Sequence, residues 1–269
     1  RMTPNDIISI DGVPTPAAAM YDPTEYCRGG YIRQDIQVAG RRPMHLNEHL
    51  ALIRRSFETL YGIRPQLPPA TVAAWCTELL DRNGYPDSSI RISMLAAPYR
   101  SDGQIRLRTT LIAREIMLET GYHIRAIRPR AVIERYDLPY PSLPFSAAFE
   151  SDAAARLRRN ITGSNIVLRA DSTGQLLAAG TAALFAVEGR TVITSPTTAG
   201  APDSVERRLT IEAVNRGGIA FEERPLTEER LGRYDELFFS DCRGLTSISE
   251  CGENTYMSLM VDRIIRQMH

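Results

Sequence analysis

The chain has 269 residues, with 32 acidic residues balanced by 32 basic ones, so the uniform positive charge of a general nucleic-acid binder is excluded. With 43% hydrophobic and 24% charged residues it has the composition of a globular protein of one large or two medium domains. No apolar run approaches the roughly 20 residues of a membrane span. Every basic residue counted is arginine, and the sequence contains no lysine.

In chain order, residues 6–14 read as a strand closing on the Asp11-Gly12 turn signal. Gly29-Gly30 leads into a strand over Tyr31–Val38. Asn47 is placed to cap a helix whose stripe is Leu50, Ile53, Phe57 and Leu60, ending at Gly62. Pro68-Pro69 opens a second helix with Val72, Trp75 and Leu79 on one face, stopped by Asn83-Gly84. Alternation at Ile90, Ile92, Met94 and at Ile105, Leu107, Thr109, Leu111 gives two further strands. This makes an α+β domain over 1–115, followed by a linker at 116–122.

The second domain, 123–269, begins with a strand-like stretch at 123–133 and a proline-rich segment, Leu138 to Phe145. A helix is expected at 150–159, then short strands at 166–170, 183–189 and 191–196 around Gly174 and Gly189. The next helix carries Val205, Leu209 and Ala213 and ends at Gly217-Gly218. Buried strands follow at 219–223 and 236–240, and a terminal helix at 254–268. The pattern is that of a barrel-like or sandwich-like domain with helices.

The four cysteines, Cys27, Cys76, Cys242 and Cys251, form no CxxC pair and read as free thiols of a reducing, cytoplasmic setting. The N-terminal residues lack the apolar core of a secretion signal, and Arg1 before Met2 reads as an added residue. His45 and His49 stand at i, i+4 on one helix entry, but no third ligand accompanies them, so no metal site is expected. Gly29-Gly30 is too short for a phosphate loop, and Ser142, Ser146 and Ser164 lack a nucleophile elbow.

Six short motifs in order resemble the fold-type IV pyridoxal-phosphate family, which includes branched-chain and D-amino-acid aminotransferases and aminodeoxychorismate lyase. They are Gly29-Gly30 with Tyr31–Val38; Glu48–Ile53 with Ser56; Asp171–Gly174 with Ala178–Phe185 and Val187; Thr194–Pro196 with Ala199-Gly200 and Arg207; Gly218-Ile219 with Glu222 and Leu226; and Asp235–Phe238. The resemblance implies a two-domain α+β, D-amino-acid-aminotransferase-like architecture with its site between the domains. It also implies a homodimer and an aminotransferase or lyase activity.

Carried over residue by residue, the functional positions depart from the family. The Schiff-base lysine falls within Ser142, Leu143, Pro144, Phe145 and Ser146, which offer no amine. The partner of the pyridine nitrogen falls on Ala178, and the phosphate-gripping arginine of the first helix on Leu52. The backbone phosphate nest falls on Ser204, Val205 and Glu206, and the second phosphate hydroxyl near Cys242 or Arg243. A guanidinium cannot replace lysine here, because it stays protonated and forms no imine.

These departures lead to the expectation of a class IV homologue that has lost its transaminase chemistry, with no pyridoxal phosphate and no metal. It would bind a small anion or a partner protein, and Arg33 and Arg243 are the candidate anion-binding residues. The alternatives are a cofactor-independent enzyme using Tyr31, Arg33 or Tyr140, and an active class IV aminotransferase or lyase.

Overall fold

The structure is a computed structural model that describes residues 6–19, 30–85, 90–115, 121–146 and 157–268. The chain divides into two compact units, Arg1–Gly121 with Pro144–Ser146, and Tyr122–Leu143 with Ala147–His269. Most of the expected linker, most of the helix expected at 150–159, and Cys27 and Gly29 lie outside the described residues.

The first unit contains β1 (Ile7–Ile10), β2 (Val13–Pro16), β3 (Ile32–Ala39), β4 (Arg42–Pro43), α1 (Leu46–Tyr61), α2 (Pro69–Asn83), β5 (Ile90–Ser101) and β6 (Gln104–Glu115). Among the described residues these strands form an antiparallel sheet in the order β2-β1-β6-β5-β3-β4. Asp11-Gly12 divides the strand expected at 6–14 into two. Both of its residues have positive φ (49° and 84°), as do Asp102 and Gly103 between β5 and β6 (52° and 76°). Two-residue turns of this kind match the twist of the strands they join.

Both helices lay an apolar stripe on one face of this sheet. Leu50, Ile53 and Phe57 of α1 and Val72, Cys76 and Leu79 of α2 pack with Ile32, Ile36, Ile92 and Met94. Each such fully buried aliphatic or aromatic side chain stabilises the fold by about 1.5–3 kcal/mol. Pro69 opens α2, and Gly62 and Gly84 end the helices in left-handed conformations, as the sequence indicates. The start of α1 differs. His45, at φ 52°, occupies the cap position without a capping side-chain hydrogen bond, and Asn47 lies inside the first turn.

The second unit contains β7 (His123–Ile124), β8 (Arg130–Arg135), β9 (Ile166–Ala170), β10 (Gln175–Ala179), β11 (Ala182–Glu188), β12 (Thr191–Thr194), α3 (Val205–Arg216), β13 (Ala220–Glu223), β14 (Leu226–Thr227), β15 (Glu236–Asp241), β16 (Gly244–Ser247), β17 (Glu250–Cys251), β18 (Asn254–Thr255) and α4 (Leu259–Ile265). Among the described residues they build a mixed sheet in the order β18-β17-β8-β9-β10-β11-β15-β16-β7; β12 pairs with β11 and β13, and β14 with β10. The path β9-β10-β11-β15 is antiparallel and nearly every residue on it is buried, so both faces are covered.

Four expectations change in this unit. The stretch 123–133 splits into β7 and β8, and Pro129, which has no N–H to give to a ladder, lies just before β8. β13 is largely exposed rather than buried. Asn254–Thr255 pairs with β17 as a hairpin, so the terminal helix is confined to Leu259–Ile265. The buried side of α3 includes Thr210 and Val214 with Val205 and Ala213, and Leu209 is only half-buried.

Candidate functional site

In the first unit, the helix motif of α1 turns inward. His49 is buried, and its Nδ1 lies 2.7 Å from Gln34 Oε1 on β3, so the ring N–H donates to that oxygen. Burial, and then the neighbouring His45, pull its pKa from 6.5 down to about 4, against an upward pull from Asp35. The imidazole is therefore neutral near pH 7 and ties α1 to β3. Leu52 is 2% exposed and lies outside the cluster that packs α1 on the sheet. It is apolar, at the position the sequence resemblance assigns to a phosphate-gripping arginine.

The segment that should carry the lysine is held by backbone bonds. Ser142 O accepts from Asp203 N at 2.9 Å, and Leu143 N donates to Tyr140 O at 3.0 Å. Pro144 O accepts from Arg33 N at 2.9 Å, and Phe145 forms an antiparallel bridge with Ile32. Ser146 N donates to Tyr31 O at 2.8 Å, and its Oγ accepts from Tyr31 N at 3.1 Å. Pro144–Ser146 thus pairs with the start of β3, with the Phe145 ring against Gly30.

Arg33 lies on this strand, half-exposed, with its guanidinium on the Asp35 carboxylate at 3.0 to 3.3 Å. Ser93 Oγ donates to the same carboxylate at 2.6 Å. The charge of this candidate anion-binding residue is already matched within the strand.

In the second unit, Ala178 lies opposite Arg169 of β9 and Ala183 of β11, beside a register shift in β10. Arg169 is 2% exposed, and its Nη2 donates to Gly200 O at 2.8 Å. Burial lowers its pKa, while Tyr136, Asp137 and Asp171 raise it. On β11 and β15, Phe185 and Phe238 stack with ring centroids 5.1 Å apart. Arg169 escaped the sequence reading. The available signal was a single charge inside the otherwise apolar run 166–170.

At the start of α3, Ser204 Oγ caps the helix by accepting from Arg207 N at 3.0 Å, and Val205 and Glu206 are buried. Arg207 donates to Ser195 O at 3.1 Å and to Glu223 at 2.8 Å. Thr210 Oγ1 lies 2.9 Å from Ser240 Oγ on β15, which joins this helix to the strand leading to Arg243. Arg243 pairs with Asp241 through both its backbone N–H and its guanidinium, each at 2.9 Å. The candidate residues therefore divide, with Leu52, Arg33 and Pro144–Ser146 in the first unit and Ser142, Leu143, Ala178, Ser204–Glu206 and Arg243 in the second. Among the described residues no group of three histidine, cysteine or acidic side chains is placed to hold a metal. No helix among them is long and apolar enough to cross a membrane.

The amino-transferase class IV family matches residues 35–251 of the sequence. No curated protein sequence matches the chain. The structure is similar to a branched-chain aminotransferase from Thermoproteus uzoniensis with norvaline, at 16% identity and TM-score 0.83, covering 97% of this chain and 93% of that one. It is similar to the pyridoxal-phosphate form of a branched-chain aminotransferase from Thermobaculum terrenum, at 15% identity and TM-score 0.84, covering 99% and 94%. It also resembles a hypothetical aminotransferase from Mycobacterium tuberculosis in its pyridoxal-phosphate-bound form, at 12% identity and TM-score 0.82, with 97% of each chain covered. At these identities the likeness establishes the fold.

These findings correct the expectation of a chain without a cofactor. The matched family and the pyridoxal-phosphate forms among its structural neighbours point to that cofactor rather than to none. Losses at single positions do not exclude the cofactor, because phosphate and ring contacts are spread over many groups, backbone N–H donors included. The residues present fit the cofactor in part. The Ser204-capped start of α3 offers helix N–H groups of the kind that hold phosphates. The chain has no lysine to link the ring covalently.

Proposed function

Because the chain belongs to the amino-transferase class IV family, we propose that it is a member that has given up lysine-dependent transamination and holds a small anionic ligand, pyridoxal phosphate included, by non-covalent contacts alone. One observation carries this reading: the five residues 142–146 contain no amine, and their backbone is bonded to the start of β3 and to the lead into α3. Pyridoxal phosphate, when bound, supplies an electron-withdrawing ring and an aldehyde that condenses with amines.

This chain's side chains bind and orient but form no imine, since guanidinium stays protonated. Leu52 and Ala178 put apolar groups at two positions that are charged in the family, so grip on a phosphate falls to backbone N–H groups and arginines. The same reading carries a homodimer in the cytoplasm, and light scattering of the purified protein at micromolar concentration tests the dimer.

The function itself is tested by supplying pyridoxal phosphate, a panel of L- and D-amino acids and a 2-oxo acid acceptor, and following the new 2-oxo acid. No turnover above the protein-free reaction is expected. Protein-dependent turnover with any donor would overturn the proposal.

A further inference from the structure

We infer that Arg169 anchors an oxyanion, a carboxylate or a phosphate group, on the β9–β10 face of the second unit. The inference rests on the ligand-binding reading above and names the residue that carries it. Arg169 is only 2% exposed, yet a guanidinium keeps its charge at any accessible pH. A buried cation is costly unless an anion and hydrogen bonds compensate it.

Arg207, the other buried arginine among the described residues of this unit, meets that requirement through the Glu223 carboxylate at 2.8 Å. Arg169 has no such partner among the described residues. Its hydrogen-bond acceptor among them is the neutral Gly200 carbonyl. Asp137 and Asp171 act on it through space. The Asp171 carboxylate is already engaged by Thr173 N, Thr173 Oγ1 and Gln175 N at 2.7 to 3.0 Å.

Ala178 lies opposite Arg169 in the ladder and Ala183 opposite Ala178, and both side chains end at Cβ, so neither competes for the fork. Two parallel N–H groups of a guanidinium match a carboxylate or phosphate edge, which a point-charge amine does not.

The test is thermal unfolding of the full chain with acetate or inorganic phosphate titrated against chloride at equal ionic strength. The two probes separate a carboxylate ligand from a phosphate ligand. Wild type is expected to show saturable stabilisation by at least one of them, weakened roughly tenfold or more in Arg169→Gln and unchanged in Arg190→Gln, on the exposed turn between β11 and β12. Arg169→Lys, which keeps charge without the fork, is expected to bind several-fold more weakly than wild type, and it decides the matter if Arg169→Gln does not fold. Loss of the response in Arg33→Gln with none in the Arg169 variants would overturn the assignment to Arg169 while leaving the ligand reading standing. No response of wild type beyond chloride would overturn both, and an Arg169→Lys response equal to wild type would overturn the fork.

Discussion

The Phe145 ring occupies the space where a Cβ on Gly30 would have to sit. Gly30 also has φ 68°, a left-handed conformation that side-chain-bearing residues rarely adopt. The contact ties Phe145 to Gly30 by shape, beside the hydrogen bonds of Pro144 and Ser146 within the first unit. Gly30→Ala is expected to lower stability by about 2–3 kcal/mol, from backbone strain and steric overlap together. The double variant Gly30→Ala with Phe145→Ala should lose less than the sum of the two single changes, because Phe145→Ala removes the ring that the added methyl overlaps. Chemical denaturation of the four proteins measures this, and strict additivity would contradict the contact.

His49 makes stability depend on pH in a definite direction. The unfolded chain takes up a proton near pH 6.5, whereas the folded chain resists it until about 4. Stability from this residue is therefore complete above about pH 6.5 and falls as pH drops toward 4, by on the order of 3 kcal/mol at most. His49→Gln should flatten the stability curve between those limits. An unchanged slope in the variant would show that the imidazole is not the group refusing the proton.

Ser204 holds the start of α3 by accepting from Arg207 N at 3.0 Å. Ser204→Ala should cost about 1 kcal/mol, and Ser204→Gly only a few tenths. If the helix start also serves an anion through its N–H groups, the affinity for inorganic phosphate should change little in either variant. Urea denaturation with and without phosphate reads both quantities.

Burial pushes the Cys76 thiol up to about 12 and the Cys251 thiol up to about 11, so neither forms appreciable thiolate near pH 8. Peptide mapping after brief iodoacetamide treatment of the native protein should find both unmodified, with full modification in denaturant. Rapid native labelling of Cys76 would place it outside the α2 core.

The local elements were legible because their signals are local. Pro69, Gly62 and Gly84 bound the two helices through backbone preference, and alternation at Ile90, Ile92 and Met94 gives one face of β5 directly. What escaped depends on tertiary structure. His45 displaces Asn47 as the cap in a left-handed conformation that no capping side-chain bond accompanies, and Asn254–Thr255 becomes a strand only because β17 lies beside it.

For the site, the missing lysine and the apolar Leu52 and Ala178 can be read by position. The burial of Arg169 cannot, since a strand bears a charge equally well on a solvated face. The expectation of no cofactor rested on single positions, whereas the family match and the pyridoxal-phosphate forms among the structural neighbours point to that cofactor.

The central claim, a class IV fold that holds its ligand without a covalent link, is tested most directly by reductive trapping. The purified chain is incubated with pyridoxal phosphate, treated with borohydride, and weighed intact and after proteolysis. The account predicts no adduct on any side chain, with modification confined at most to the α-amino terminus. A stable phosphopyridoxyl adduct on an internal peptide, above all within 142–146, would contradict it.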